Sequence, residues 1–182
     1  RHGDLPRNPV LHAKKPRVQS VETKPIPRKD FIKIYQEAMK DPYMHARIEI
    51  GGMVGPRPGE ALGLKWSDID WDAQILTLER QVQREPGKGL VFQTVKQNEV
   101  RNILLSNEQI RILLTHKRHQ ALNKASWAED DDLVFPNTKG RKCDEKRDRK
   151  MFKDLLVQAW VDDYQLYQLR KTAYSNMASV TD

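Results

Sequence analysis

Residues 51–71 read GGMVGPRPGEALGLKWSDIDW, and the centre of this stretch, Gly55-Pro56-Arg57-Pro58-Gly59-Glu60, sets an arginine on a stiff turn before a helical pattern. Pro58 suits the first helical position, since it lacks the N–H that goes unpaired there and its φ is already helical. Ala61, Leu62 and Leu64 supply an apolar face, with Trp66 near the helix end. An arginine at a helix N-terminus can grip an anion, because its guanidinium fork and the free helical N–H groups can address one phosphate. A capped core helix with a surface arginine is an equally good reading of this stretch taken alone.

Working outward on the N-terminal side, Phe31, Ile34, Tyr35, Ala38 and Met39 repeat at helical spacing from Asp30 to Asp41-Pro42. A second helix is predicted from about Tyr43 to Met53. Residues 1–28 hold Pro6, Pro9, Pro16, Pro25 and Pro27, and through Lys33 there are nine Lys/Arg against three Asp/Glu. Proline at this density disfavours helix and sheet. The stretch reads as a basic arm that could follow a phosphate backbone, or equally as a solvated linker, leaving 29–182 as one domain.

On the C-terminal side the pattern changes after Ser67-Asp68-Ile69-Asp70, read as a polar turn. Leu76, Leu78, Arg80 and Val82 alternate, Glu85 to Gly89 breaks the chain, and Leu90 to Val95 alternates again. Lys96 to Glu99 turns, and Val100 to Leu105 forms a last strand. This predicts a three-stranded antiparallel sheet of two hairpins. Lys96 on its turn could reach a ligand or simply be solvated. Ser106 and Gln109 form a capping-box pair opening a helix with Ile110, Leu113, Leu114 and Ala121 inward. A helix from about Asp144 carries Met151, Phe152, Leu155, Leu156, Ala159 and Trp160 on a buried stripe. The last helix starts near Leu166. The fold class is therefore α+β, mainly helical with a small antiparallel sheet.

The 182 residues carry 32 Lys+Arg against 25 Asp+Glu, a net charge of +7, which favours a polyanionic partner such as nucleic acid. Residues Lys139 to Lys153 concentrate eight Lys/Arg against three Asp/Glu. Cys143 is the only cysteine, so neither an internal disulfide nor a thiolate zinc site is expected. His116 and His119, three apart on a polar helix face, read as solvent residues with no carboxylate cluster of ligand spacing, so no metal is expected. No P-loop, no GxGxxG and no assignable Ser/His/Asp set is present. No apolar run approaches the roughly 20 residues of a membrane span.

What remains is a set of cations on distant elements: Arg57, Lys96 and Arg170. In order and wording these elements resemble the catalytic domain of tyrosine recombinases, the phage-integrase family. Gly55 to Asp70 is very close to that family's first arginine motif. Thr94-Val95-Lys96 before the strand Val100 to Leu105 resembles its β-hairpin lysine. Phe135-Pro136-Asn137 with Gly140-Arg141 looks like its connecting loop, and Leu166 to Ala173 matches the His-x-x-Arg motif in frame. Asn8-Pro9-Val10 resembles the linker leaving the family's core-binding domain.

The resemblance implies site-specific DNA recombination, with strand cleavage and rejoining through a 3′-phosphotyrosyl intermediate and no cofactor. Arg57 and Arg170 would stabilise charge on the phosphate, and Lys96 would protonate the departing 5′-oxygen. Glu60 would orient them from behind. Arg141, Lys142 and Lys171 would contact DNA. Tyr167 stands where the family usually carries histidine; a phenol with an ordinary pKa near 10 is a poor base but can hydrogen-bond a phosphate oxygen or pack. None of the five tyrosines falls at the family's nucleophile position, so the chain reads as a fragment unable to cleave DNA alone. Implied partners are duplex DNA at attachment sites and three further copies in a homo-tetramer, in the cytoplasm of a bacterial host. A type IB topoisomerase and a non-catalytic DNA-binding relative remain alternatives.

Overall fold

A computed structural model describes residues 23–95, 100–124, 127 and 131–178. Its elements are α1 (Arg28–Ala38), α2 (Pro42–Glu49), a π-helical turn (Ile50–Val54), α3 (Pro58–Gly63), a 3₁₀ turn (Trp66–Asp68), β1 (Ile69–Asp70), β2 (Ile75–Leu78), β3 (Arg80–Glu85), β4 (Gly89–Thr94), β5 (Arg101–Leu104), α4 (Asn107–Ala121), α5 (Glu145–Gln158) and α6 (Tyr167–Ala178). The α+β class predicted from the pattern is the one observed.

The sheet differs in its pairing. Instead of one sheet of two hairpins, β3 and β4 pair as a hairpin while β5 pairs with β2, and β1 adds a third strand on the other side of β2. The long strand read across 76–82 divides at Glu79, so its first half serves β5 and its second half β4. Glu79 accepts from the Val95 N–H at 3.0 Å, closing the junction. β1 was hidden in a stretch that reads as a polar turn because only Ile69 points inward.

Two apolar clusters hold the domain together. One gathers α2, the π turn, α3 and β2 around Ile50, Leu62, Leu76, Leu113 and Phe135. The other packs α1 with α5 and α6 through Ile34, Ile48, Phe152, Leu156 and Leu169. Between the two, Arg47 of α2 donates to both carboxylate oxygens of Asp148 on α5, at 3.0 and 2.7 Å, with both side chains almost entirely buried. Ile26, inside the stretch read as an arm, is buried, and its N–H donates to the Thr172 hydroxyl at 2.9 Å.

Three helix faces depart from the sequence reading. His116 is 1% exposed, not solvated. Its Nε2 lies 2.7 Å from the Val134 carbonyl oxygen, and its ring stacks on Phe135. α4 turns Ile112, Leu113, His116 and Gln120 inward and leaves Ala121 exposed. Trp160 is 89% exposed. It follows the end of α5 with a left-handed φ of 52°, which takes it off the helical stripe. Met39, the C-cap of α1, keeps a right-handed φ of −58° and is exposed just past the last residue of the helix.

Candidate active site

The π turn Ile50–Val54 and the loop after it place the first arginine. Gly55 ends the turn with φ 75°, a left-handed conformation that costs other residues about 1–2 kcal/mol. A Cβ there would also come within 2.8 Å of Ala173 on α6. At Gly52 a Cβ would meet the Phe31 ring at 2.5 Å, so this backbone is held close to both α1 and α6. Pro58 then starts α3 with Arg57 as its N-cap residue.

Glu60, at the third position of α3, accepts from the Arg57 N–H at 2.7 Å, as a carboxylate at a helix start does. The same side chain is 1% exposed and gathers guanidiniums from three elements. Its Oε1 accepts from Arg57 Nη1 at 2.9 Å, and its Oε2 from Arg101 Nη2 of β5 at 2.5 Å. Arg170 Nη1 of α6 lies 3.7 Å from Oε2. Arg170 is itself fixed by donating to the Gly55 carbonyl at 2.8 Å, with its guanidinium 4.9 Å from the Tyr174 ring centroid.

The structure thus brings together Arg57, Glu60 and Arg170, and adds Arg101, which the sequence reading missed. Among the described residues, three guanidiniums stand around this one carboxylate. Solvent reaches them unequally: the Arg57 side chain is 47% exposed, Arg101 32% and Arg170 13%. Such an arrangement suits an anionic group lodged against Arg57, with guanidinium donors already oriented.

The other predicted residues fall as follows. Lys96 lies outside the described residues, as do Asn8-Pro9-Val10 and most of the acidic stretch before Asp132. Tyr167 opens α6, half-exposed, one turn ahead of Arg170, and Lys171 follows Arg170 on the same helix. Arg141 is exposed on a loop in which its carbonyl accepts from the Asn137 N–H at 2.8 Å. Lys142 pairs with Asp131 at 3.1 Å and stands 4.3 Å above the Phe92 ring. Tyr164 donates to Asp30 at 2.6 Å, and burial together with that carboxylate pushes its phenol up to about 12. Among the described residues no group of three or more His, Cys, Asp or Glu could hold a metal ion. None of the helices described is long and apolar enough to cross a membrane.

The phage integrase family model matches residues 24–180, most of the chain and all of the arginine cluster. The chain belongs to the phage integrase family. Among curated relatives, an integrase from Saccharopolyspora erythraea is 24% identical, over 95% of this chain and 52% of its own length. A XerC-like tyrosine recombinase from Caldanaerobacter subterraneus subsp. tengcongensis is 27% identical, over 78% of this chain and 40% of its own. The chain therefore spans about half the length, or less, of the curated relatives it matches. The fold is shared with the Tn1549 transposon integrase, solved in complex with a circular intermediate DNA. That match has a TM-score of 0.74 at 16% identity, covering 90% of this chain and 56% of the other.

Proposed function

We propose that this domain belongs to an enzyme of site-specific DNA recombination and that the cluster at Glu60 is its phosphodiester clamp. The observation that carries the reading is the convergence of Arg57 and Arg170 on one buried carboxylate from α3 and α6. Phosphodiester cleavage passes through a pentacoordinate state whose non-bridging oxygens gain charge. Guanidiniums already fixed by Glu60 and Gly55 meet that charge with no reorganisation at the moment of reaction.

In this reading a tyrosine hydroxyl gives up its proton to water and attacks the scissile phosphate, forming a 3′-phosphotyrosyl bond while the O5′–P bond breaks. Lys96 gives a proton to the leaving 5′-oxygen. A 5′-hydroxyl from another strand reverses the step, so the bond energy is kept and no nucleotide cofactor is consumed. Tyr164, bonded to Asp30, is a poor nucleophile, and Tyr35 and Tyr43 are raised further by burial. No tyrosine of the chain is assigned here as the attacking group. Tyr167 replaces an acid–base histidine with a hydrogen-bonding phenol, and Lys171, Arg141 and Lys142 add charge toward the DNA backbone. The exchange of Tyr167 for histidine also favours a second reading, a DNA-binding relative without cleavage.

Both readings require phosphate contacts. Affinity of the chain for duplex DNA is expected to fall linearly on a log–log plot against salt, with a slope of about −0.9 per phosphate neutralised. Arg57→Ala should reduce the magnitude of that slope by about one contact. A flat salt response would remove DNA as the partner.

A further inference from the structure

Arg101 is the one member of the cluster that the recombinase reading leaves without a task. It opens β5, where it pairs with Leu78 of β2, and its Nη2 donates to Glu60 Oε2 at 2.5 Å. That oxygen also accepts from the Arg57 N–H at 2.7 Å. Arg170 stands off from it at 3.7 Å, beyond hydrogen-bond reach, and bonds the Gly55 carbonyl instead. Arg101 and Arg170 thus approach the same buried carboxylate oxygen, and Arg101 has it.

We propose that Arg101 is a positioning residue of the phosphodiester site: by occupying Glu60 Oε2 it keeps Arg170 from collapsing onto the carboxylate and leaves its remaining donors for the substrate phosphate. The inference rests on the clamp reading above. Without Arg101, Glu60 faces two guanidiniums instead of three, and its buried charge draws Arg170 inward, away from the phosphate. The effect is expected on the reacting geometry rather than on DNA affinity.

The test uses the full-length protein that carries this chain, with a nicked duplex bearing its recombination site, and compares wild type, R101A, R101K and R57A. Single-turnover cleavage at saturating protein is measured beside DNA affinity. R101A is expected to lose up to about 100-fold in the cleavage rate constant, with affinity within about threefold of wild type. R101K, which can still reach the carboxylate, should recover part of the rate. If R101A melts far below wild type, R101Q carries the comparison instead. Cleavage by the 101 variants within twofold of wild type would overturn the inference while leaving the clamp reading in place. A parallel loss of rate and affinity would overturn it too, by making Arg101 a DNA contact. A wild-type protein that forms no covalent complex, with R57A indistinguishable from it in DNA affinity, would remove the clamp reading and this inference with it.

Discussion

Arg170 Nη1 donates to the carbonyl oxygen of Gly55 at 2.8 Å, joining positions 115 residues apart in the chain. The bond depends on Gly55 being glycine, because its φ of 75° aims the carbonyl at α6 and its missing Cβ lets Ala173 approach. Gly55→Ala is expected to destabilise the domain by at least about 1–2 kcal/mol from the left-handed conformation alone, with the 2.8 Å overlap on Ala173 adding to it. Urea denaturation measures the loss. Ala173→Gly in the same chain should recover the overlap part, so the pair should be non-additive in a double-mutant cycle. Strict additivity would show that α6 does not rest on this contact.

Two carboxylates that hold arginines should differ in what their removal costs. Asp148→Ala leaves Arg47 charged and almost fully enclosed, a loss of roughly 3–5 kcal/mol. Glu60→Ala leaves three guanidiniums, but water reaches Arg57 and Arg101, and the expected loss is about 1–3 kcal/mol. Chemical denaturation of the two variants should rank Asp148→Ala as the more damaging. The reverse order would mean that Glu60 serves folding before it serves the site.

Much of this site was legible in the amino-acid sequence, and the reasons are local. Arg57 is marked by the prolines on either side of it, and Glu60 by its place one turn later at a helix start. Arg170 sits in a short word on the last helix. Arg101 was not legible, because its role comes from strand pairing: β5 joins β2 rather than β4, which carries position 101 to Glu60. His116 was misread for a related reason. Its adjacent residues Thr115 and Lys117 are polar, and the Val134 carbonyl, 18 residues on, gives the buried ring its partner.

His116 also gives the fold a pH dependence. Burial lowers its pKa below the ordinary 6.5, and burial does the same for His45. The folded value lies below the unfolded one, so the unfolded chain binds the extra proton. The neutral rings contribute stability that is fully present above about pH 6.5 and is lost as pH falls toward the folded values. Urea midpoints should therefore drop on acidification below about pH 6.5. His116→Asn, which cannot charge there, should be less stable at neutral pH but lose less stability on acidification just below about pH 6.5. An unchanged acid slope in that variant would place the proton uptake elsewhere.

The claim that the Glu60 cluster clamps a scissile phosphate is tested most directly by trapping the covalent intermediate. The full-length protein carrying this chain is incubated with a nicked duplex bearing its recombination site, and protein–DNA adducts are resolved under denaturing conditions. Wild type should form a 3′-linked adduct, and Arg57→Ala and Arg170→Ala should each lose it by about 100-fold or more while remaining folded. Adduct formation by either variant at the wild-type rate would contradict the assignment.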